Sequence, residues 1–275
     1  MTSRTGTSVD LSADSHVHTS LCNHASGTME EYALAAMERG LATITFLEHL
    51  EAGIGYIERT WLTDADFASY FREGERLKKK YRDRLTIRLG VEVGFNPDAV
   101  EELRAALARY PFEQVGISYH FFFDGRQHLN MVSRRPENIA ALLALGADRM
   151  LTSYFTGLRE AIDALDGHVL CHLDAGMRHL PELHLAAEHL AQVDEVLAGM
   201  SRKNMTMEIN TSGFALRGEP YPSREILRRA LKLGIPLAVG SDAHQPHQVG
   251  RYFDRVEEYL AGLDAPSPPR GEGAD

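Results

Sequence analysis

Short apolar runs alternate with segments of helical periodicity along most of this chain. The runs near Val9–Ser15, Ala42–Leu47, Thr86–Val93, Gln114–Tyr119, His168–Cys171, Met205–Ile209 and Pro236–Gly240 read as strands. The segments between them read as helices with definite start and stop signals. Thr28-Met29-Glu30-Glu31 fits a capping box, in which the Thr28 hydroxyl accepts a free N–H and Glu31 reaches back. Tyr32, Ala33, Ala36 and Met37 then make an apolar stripe, and Gly40 follows as a stop. Pro97 and Pro136 suit first-turn positions, where a missing N–H costs nothing. Ser223 is placed to cap a helix that runs to Leu233 and ends at Gly234.

Repeated strand–helix alternation implies a mostly parallel sheet covered by helices, closed as a barrel or open and doubly wound. What ends the runs decides between them. His16, His49, Glu92, His120, His172 and Asp242 fall at or just beyond the C-terminal ends of predicted strands. Side chains from so many strands meet easily only if the strands form a ring, with the chemistry at the C-terminal face. The expected fold is therefore α/β, a barrel occupying residues 1–263. The stretch 264–275 holds Pro266, Pro268, Pro269, Gly271 and Gly273 without apolar periodicity, and is expected to be a disordered tail.

The 275 residues are 44% hydrophobic and 25% charged, ample material for a core. A formal net charge of −10 weighs against nonspecific binding to nucleic acid or membranes, but not against an anionic substrate, since bound metal can reverse the local sign. The two cysteines, Cys22 and Cys171, make no disulfide framework and are expected as small buried thiols. The polar start of the chain lacks a signal-peptide apolar region, and no stretch reaches the roughly 20 apolar residues of a membrane span. A cytoplasmic protein is the expectation. Nothing in the chain fixes an oligomeric state.

The candidate chemistry lies in a few motifs. In Asp14-Ser15-His16-Val17-His18 the two histidines are two apart in a strand, share a face and can grip one ion. His24 follows in the loop before the capped helix. Phe46-Leu47-Glu48-His49 closes the second strand. Gly90-Val91-Glu92-Val93-Gly94 places a carboxylate inside an apolar run, where it must be paired, protonated or metal-bound. Gly116-Ile117-Ser118-Tyr119-His120 and Val169-Leu170-Cys171-His172 repeat the design of apolar strand followed by histidine. Gly240-Ser241-Asp242-Ala243-His244 supplies carboxylate and imidazole together. Any one histidine reads equally well as a satisfied core or surface residue; six strand exits carrying such residues do not. Histidine and carboxylate suit zinc, iron and manganese alike. His128 and His179 could line a site mouth, while His184 and His189 lie on a helical pattern and read as solvated.

The segments Asp14–His24, Gly40–His49, Gly90–Glu92, Ser118–Phe121, Glu208–Gly213, Tyr221-Pro222-Ser223 and Gly240–Gly250 together resemble the polymerase-and-histidinol-phosphatase (PHP) superfamily, and within it the monofunctional histidinol-phosphate phosphatases. The resemblance implies a distorted (β/α)7 barrel and a trinuclear site of divalent metals. Carried over, His16, His18, Glu92 and Asp242 would hold one metal, and His24, His49 and His244 a second. Glu92 would bridge to a third, also held by His120 and His172. Glu92, Asp242 and His244 would be the catalytic residues. The segment Phe122–Arg149 matches less well and is expected to shape the substrate pocket.

The implied activity is hydrolysis of L-histidinol phosphate in histidine biosynthesis. Clustered metals neutralise phosphoryl oxygens and lower the pKa of bound water. Arg217 and Arg178 follow two of the turns and are candidate phosphate clamps, because guanidinium matches phosphate oxygens; His247 is a candidate substrate contact. A different small phosphate monoester or a nucleotide would use the same chemistry. A long nucleic-acid substrate is disfavoured by the lack of a cationic track. A noncatalytic metal module is disfavoured because structural zinc sites are closed and rich in cysteine.

Overall fold

The computed structural model describes residues 9–179 and 184–264. Seven parallel strands form its centre: β1 (Ala13–Val17), β2 (Thr43–Leu50), β3 (Thr86–Gly94), β4 (Val115–Ser118), β7 (Val169–Leu170), β8 (Thr206–Asn210) and β9 (Leu237–Gly240). They neighbour one another in that order. A parallel bridge between Val17 and Ala243 closes the ring, with His18 N–H donating to the Ala243 carbonyl and Asp242 N–H to the His16 carbonyl, both at 2.9 Å. The result is a distorted (β/α)7 barrel. The distortion has local causes. The β1–β2 register slips between Asp14 and Val17, and β7 is only two residues long.

Helices α1 (Met29–Glu38), α2 (Asp64–Tyr81), α3 (Val100–Arg109), α4 (Pro136–Ala144), α5 (Ala147–Ala164), α6 (Ala187–Arg202), α7 (Gly213–Arg217), α8 (Arg224–Lys232) and α9 (Val256–Ala261) flank the strands. The capping box at Thr28 and Glu31 forms, and a second forms at Thr63 and Asp66. Pro136 occupies the first turn of α4, and Pro97 opens a short 3-10 turn. Ser223 does sit at the start of α8, but its side chain makes no cap. Its N–H instead donates to Asp174 Oδ2 at 2.9 Å. Helices and strands bury a continuous apolar layer that includes Ile44, Phe46, Leu89, Val91, Phe155 and Val239. Tyr70 of α2 ties helix to sheet by donating its hydroxyl to the carbonyls of Gly90 and Phe46.

Each predicted strand is present. The first is displaced, from Val9–Ser15 to Ala13–Val17, and the second extends to Leu50, so that His49 lies within it. A feature not foreseen is the antiparallel hairpin of β5 (Phe121–Phe123) and β6 (His128–Asn130), inserted after β4. His189 is not solvated: it is buried in the first turn of α6, where Nδ1 accepts from Ala186 N–H and Nε2 lies 3.0 Å from Asp148. His184 is exposed, just before that helix. Both cysteines are buried free thiols. The expected tail, beyond Asp264, lies outside the described residues. No helix among them is long and apolar enough to cross a membrane.

Candidate metal centre

Parallel strands in register bring their exits to one level. His49 of β2 pairs with Glu92 of β3, which pairs with Gly116 of β4. Glu92 is fully buried at the centre of the C-terminal end. Five imidazole nitrogens surround its carboxylate: His172 Nε2 at 2.8 Å, His49 Nδ1 at 3.0 Å, His120 Nε2 at 3.1 Å, and His16 Nε2 and His18 Nε2 at 3.4 Å each. Asp242 flanks them, with Oδ1 at 3.5 Å from His18 Nε2 and 3.4 Å from His244 Nδ1. His24 meets His244 with Nε2 atoms 2.9 Å apart. All nine candidates therefore converge. Two of them, His172 with φ 23° and Asp242 with φ 49°, hold left-handed backbone, a strained conformation for residues with a Cβ.

The hydrogen bonds fix which nitrogens are free. His24 Nδ1–H donates to the Cys22 carbonyl and His244 Nδ1–H to the Asp242 carbonyl, both at 3.0 Å. His16 Nδ1 faces Glu208 Oε1 at 2.6 Å, and His120 Nδ1 faces Glu51 Oε1 at 2.9 Å. His24 and His244 are thereby left with their Nε2 lone pairs pointing inward, and His16 and His120 also turn Nε2 inward, where a bound cation would displace its proton. Lone pairs 2.9 Å apart, as at His24 and His244, repel unless a cation lies between them. Both Glu92 oxygens are buried without a hydrogen-bond partner, despite five nitrogens close by. A donor set aimed at shared space rather than at each other fits divalent metal. Four groupings have ligand atoms within 4.8 Å of one another: His16, His18 and Asp242; His18, His49 and His244; His49, Glu92 and His120; and His16, Glu92 and Cys171. The groupings overlap, with His18 in both the Asp242 and His244 groups and His49 in both the His244 and Glu92–His120 groups.

The electrostatics agree. Burial would raise the Glu92 carboxyl, but His120, His49, His16 and His172 hold it well below the usual range. Burial would also raise Asp242, and His18 and His244 overcome it. Burial lowers His24, His49 and His244 to about 4 each, keeping them neutral and able to ligate. Burial opposes charge on His120 too, but Glu92 and Glu51 raise it to about 10 in the absence of a cation.

The centre opens into a cavity of about 860 Å³. Tyr56, Phe121, Asn130, Arg178, Arg251 and Ser212 are among its lining residues. The three expected substrate contacts divide here. Arg178 lines the cavity, with Nη2 3.9 Å from Asp242 Oδ2 and its buried Nε unpartnered. Arg217 does not line it. Its guanidinium is held by Asp174 at 2.9 and 3.1 Å, by the Pro220 carbonyl, and by the Tyr221 ring at 4.1 Å. His247 is exposed on a 3-10 turn and is not among the lining residues, although its neighbour Gln248 is; its carbonyl accepts from Arg39. His128 and His179 are likewise not among the lining residues.

Several buried acids went unassigned in the sequence. Glu208 and Glu51 support His16 and His120. Glu48 accepts from Thr19 N–H and Oγ–H, which anchors the turn between His18 and His24. Asp14 accepts from Ser241 N–H and Gly250 N–H across the β1–β9 seam. Glu208 carries the same signal as Glu92, a carboxylate within an apolar strand. Arg134, Arg135 and Arg251 also line the cavity.

Known proteins match this chain over most of its length. The "Probable histidinol-phosphatase" of Deinococcus radiodurans is 32% identical over 89% of this chain and 91% of that protein. The "Histidinol-phosphatase" of Bacillus subtilis is 29% identical over 89% and 98%. A crystal structure from Listeria monocytogenes superposes with TM-score 0.82 at 22% identity, covering 88% of this chain and 99% of that one. The histidinol phosphate phosphatase of Lactococcus lactis, solved with zinc, L-histidinol and phosphate, has TM-score 0.76 at 17% identity, covering 94% and 95%. The family described as "PHP domain" matches residues 14–212, and one described as "PHP-associated" matches 220–264. With its barrel, its ring of ligands and this match in hand, the chain belongs to the PHP domain family.

Proposed function

We propose that this chain is a metal-dependent phosphatase that hydrolyses L-histidinol phosphate to L-histidinol and phosphate, in histidine biosynthesis. The observation that carries the chemistry is the buried Glu92 carboxylate, ringed by five imidazole nitrogens yet accepting no hydrogen bond. The substrate reading is supported by the likeness, over 89% of the chain, to proteins named for that activity.

His16, His18, His24, His49, Glu92, His120, His172, Asp242 and His244 would hold three divalent ions, with Glu92 shared between them. Bound there, the ions neutralise phosphoryl oxygens and lower the pKa of coordinated water. The protein's own groups do the rest. Glu92 and Asp242 bring negative charge where cations are needed, and the low-pKa imidazoles stay neutral at physiological pH. Arg178 offers an unpartnered Nε–H to a phosphate at the cavity floor, worth about 1.5–3 kcal/mol as a charge-assisted contact. His244 would ligate through Nε2, with its Nδ1–H held by the Asp242 carbonyl. The aromatic side at Tyr56 and Phe121 suits the substrate's imidazole. Residues 1–263 would form the catalytic unit, in the cytoplasm.

The test is a comparison of kcat/KM for histidinol phosphate, p-nitrophenyl phosphate, other small phosphate monoesters and nucleotides. Dedicated recognition gives a preference of at least about a hundredfold, roughly 2.7 kcal/mol. Equal or better turnover of a nucleotide overturns the substrate and leaves the metal phosphoesterase. Activity that survives exhaustive chelation overturns the chemistry.

A further inference from the structure

Four ligand histidines have their Nδ1–H partner fixed, and the partners are of two kinds. His24 and His244, at the open side, donate to main-chain carbonyls. His16 and His120, on the inner side beside Glu92, face the buried carboxylates of Glu208 and Glu51. A carboxylate partner fixes the tautomer and makes the opposite nitrogen a stronger donor. Room for both acids is built into the strands. A Cβ at Gly240 would stand 2.2 Å from Glu208 Oε1, and one at Gly94 would stand 2.0 Å from Glu51 Oε1.

The two acids differ in how many acceptors they use. Glu208 uses both oxygens. Oε1 takes His16 Nδ1–H at 2.6 Å, while Oε2 takes the His172 main-chain N–H at 2.7 Å and an Asn210 amide hydrogen at 3.2 Å. It thus ties the β1 ligand to the left-handed backbone that carries the β7 ligand. Glu51 uses one oxygen for His120, and its buried Oε2 has no hydrogen-bond partner.

Building on the metal-dependent reading above, we propose that Glu208 and Glu51 are positioning residues that hold His16 and His120 with Nε2 free for metal. Glu208 must supply two acceptors and Glu51 only one. A glutamine therefore cannot replace Glu208. If its oxygen accepts from His16, its amide opposes the His172 N–H. If its oxygen accepts from His172, its amide donates to His16 Nδ1 and drives the proton onto Nε2, where it blocks ligation. At position 51 a glutamine can keep the bond to His120 and place its amide where Oε2 now makes no hydrogen bond.

The experiment titrates metal-free protein with zinc against a chromophoric chelator, for wild type, Glu208→Gln, Glu51→Gln and Glu51→Ala. Melting of the metal-free forms and histidine ring-nitrogen NMR accompany it. Glu208→Gln and Glu51→Ala should each weaken the tightest zinc site about 10–100-fold, and Glu51→Gln should recover most of that loss. The His16 proton should move from Nδ1 to Nε2 in Glu208→Gln alone. Wild-type affinity in Glu208→Gln, or equal losses in Glu51→Gln and Glu51→Ala, overturns the assignment while leaving metal-dependent hydrolysis standing. Should Glu208→Gln not fold, the Glu51 pair decides. A wild type that takes up no zinc and needs no metal for hydrolysis overturns both readings.

Discussion

The Asp174 carboxylate takes both arms of the Arg217 guanidinium, at 2.9 and 3.1 Å. Asp174 is buried, and its Oδ2 also receives the Ser223 N–H. Arg217 is thus part of the wall that supports Tyr221, over which Arg178 also lies at 5.6 Å. The two arginines should separate cleanly. Arg178→Ala should lower kcat/KM by about 10–100-fold with an unchanged melting temperature, the loss of one charge-assisted phosphate contact. Arg217→Ala should cost about 3 kcal/mol of stability, because it strands a buried carboxylate. Thermal melts beside steady-state kinetics check both. A stable, slow Arg217→Ala enzyme would return Arg217 to the phosphate.

Glu92 is shared by more ligand contacts than any other side chain described at the centre. Glu92→Gln keeps its shape and removes its charge. Activity should fall by at least about a hundredfold, on the scale of losing a preorganised charge in a closed site. Metal content by elemental analysis should fall with it. Near-normal turnover with full metal content would remove the bridging role.

Metal stoichiometry is a separate matter. Protein purified without chelator should approach three divalent ions per chain. Dialysis against a strong chelator should abolish p-nitrophenyl phosphate hydrolysis, and zinc or manganese should restore it. Saturation at one ion would leave most of the nine residues without their proposed task.

Acid should act on the metal-free protein through His49. Its imidazole is held near 4, against an ordinary 6.5, by burial and by neighbouring His120 and His244. Between those values the unfolded chain binds more protons than the folded one, so stability is full above about 6.5 and is lost as pH falls toward 4. Buried Glu48, raised to about 8 by burial, works in the opposite direction over much of that range. The effect is therefore read as a difference. Metal-free His49→Gln should lose less melting temperature than metal-free wild type between pH 6.5 and 4. Parallel curves would show that His49 protonates freely in the fold.

The strands and six of the nine clustered residues were legible from one signal, a polar ligand type at the end of an apolar run, and His18 and His244 from their place two residues beyond His16 and Asp242. The ninth, His24, lies in a loop and needed the family resemblance. The β5–β6 hairpin escaped notice because its strands are three residues each, too short for periodicity to register. Arg217 and Arg178 looked alike because each follows a turn, and only tertiary structure shows that one has a buried partner. Glu51 follows the last residue of β2 and reads as the start of a loop. Glu208 could have been found, since the argument applied to Glu92 applies to it unchanged. His189 misled because a helix position at the first turn can face the protein as easily as the solvent.

The β1–β9 seam has a consequence for biosynthesis. His16 and Asp242 stand side by side in the fold but are 226 positions apart in the order of synthesis. At roughly 5–20 residues per second, His16 is made on the order of 10–45 s before Asp242. During that interval the chain holds only part of the proposed ligand set. On the proposed ligand set, metal loading would be an event of the finished polypeptide, coupled to the docking of its last strand. A chain truncated before Leu237 would keep six of the seven strands and still be unable to mature.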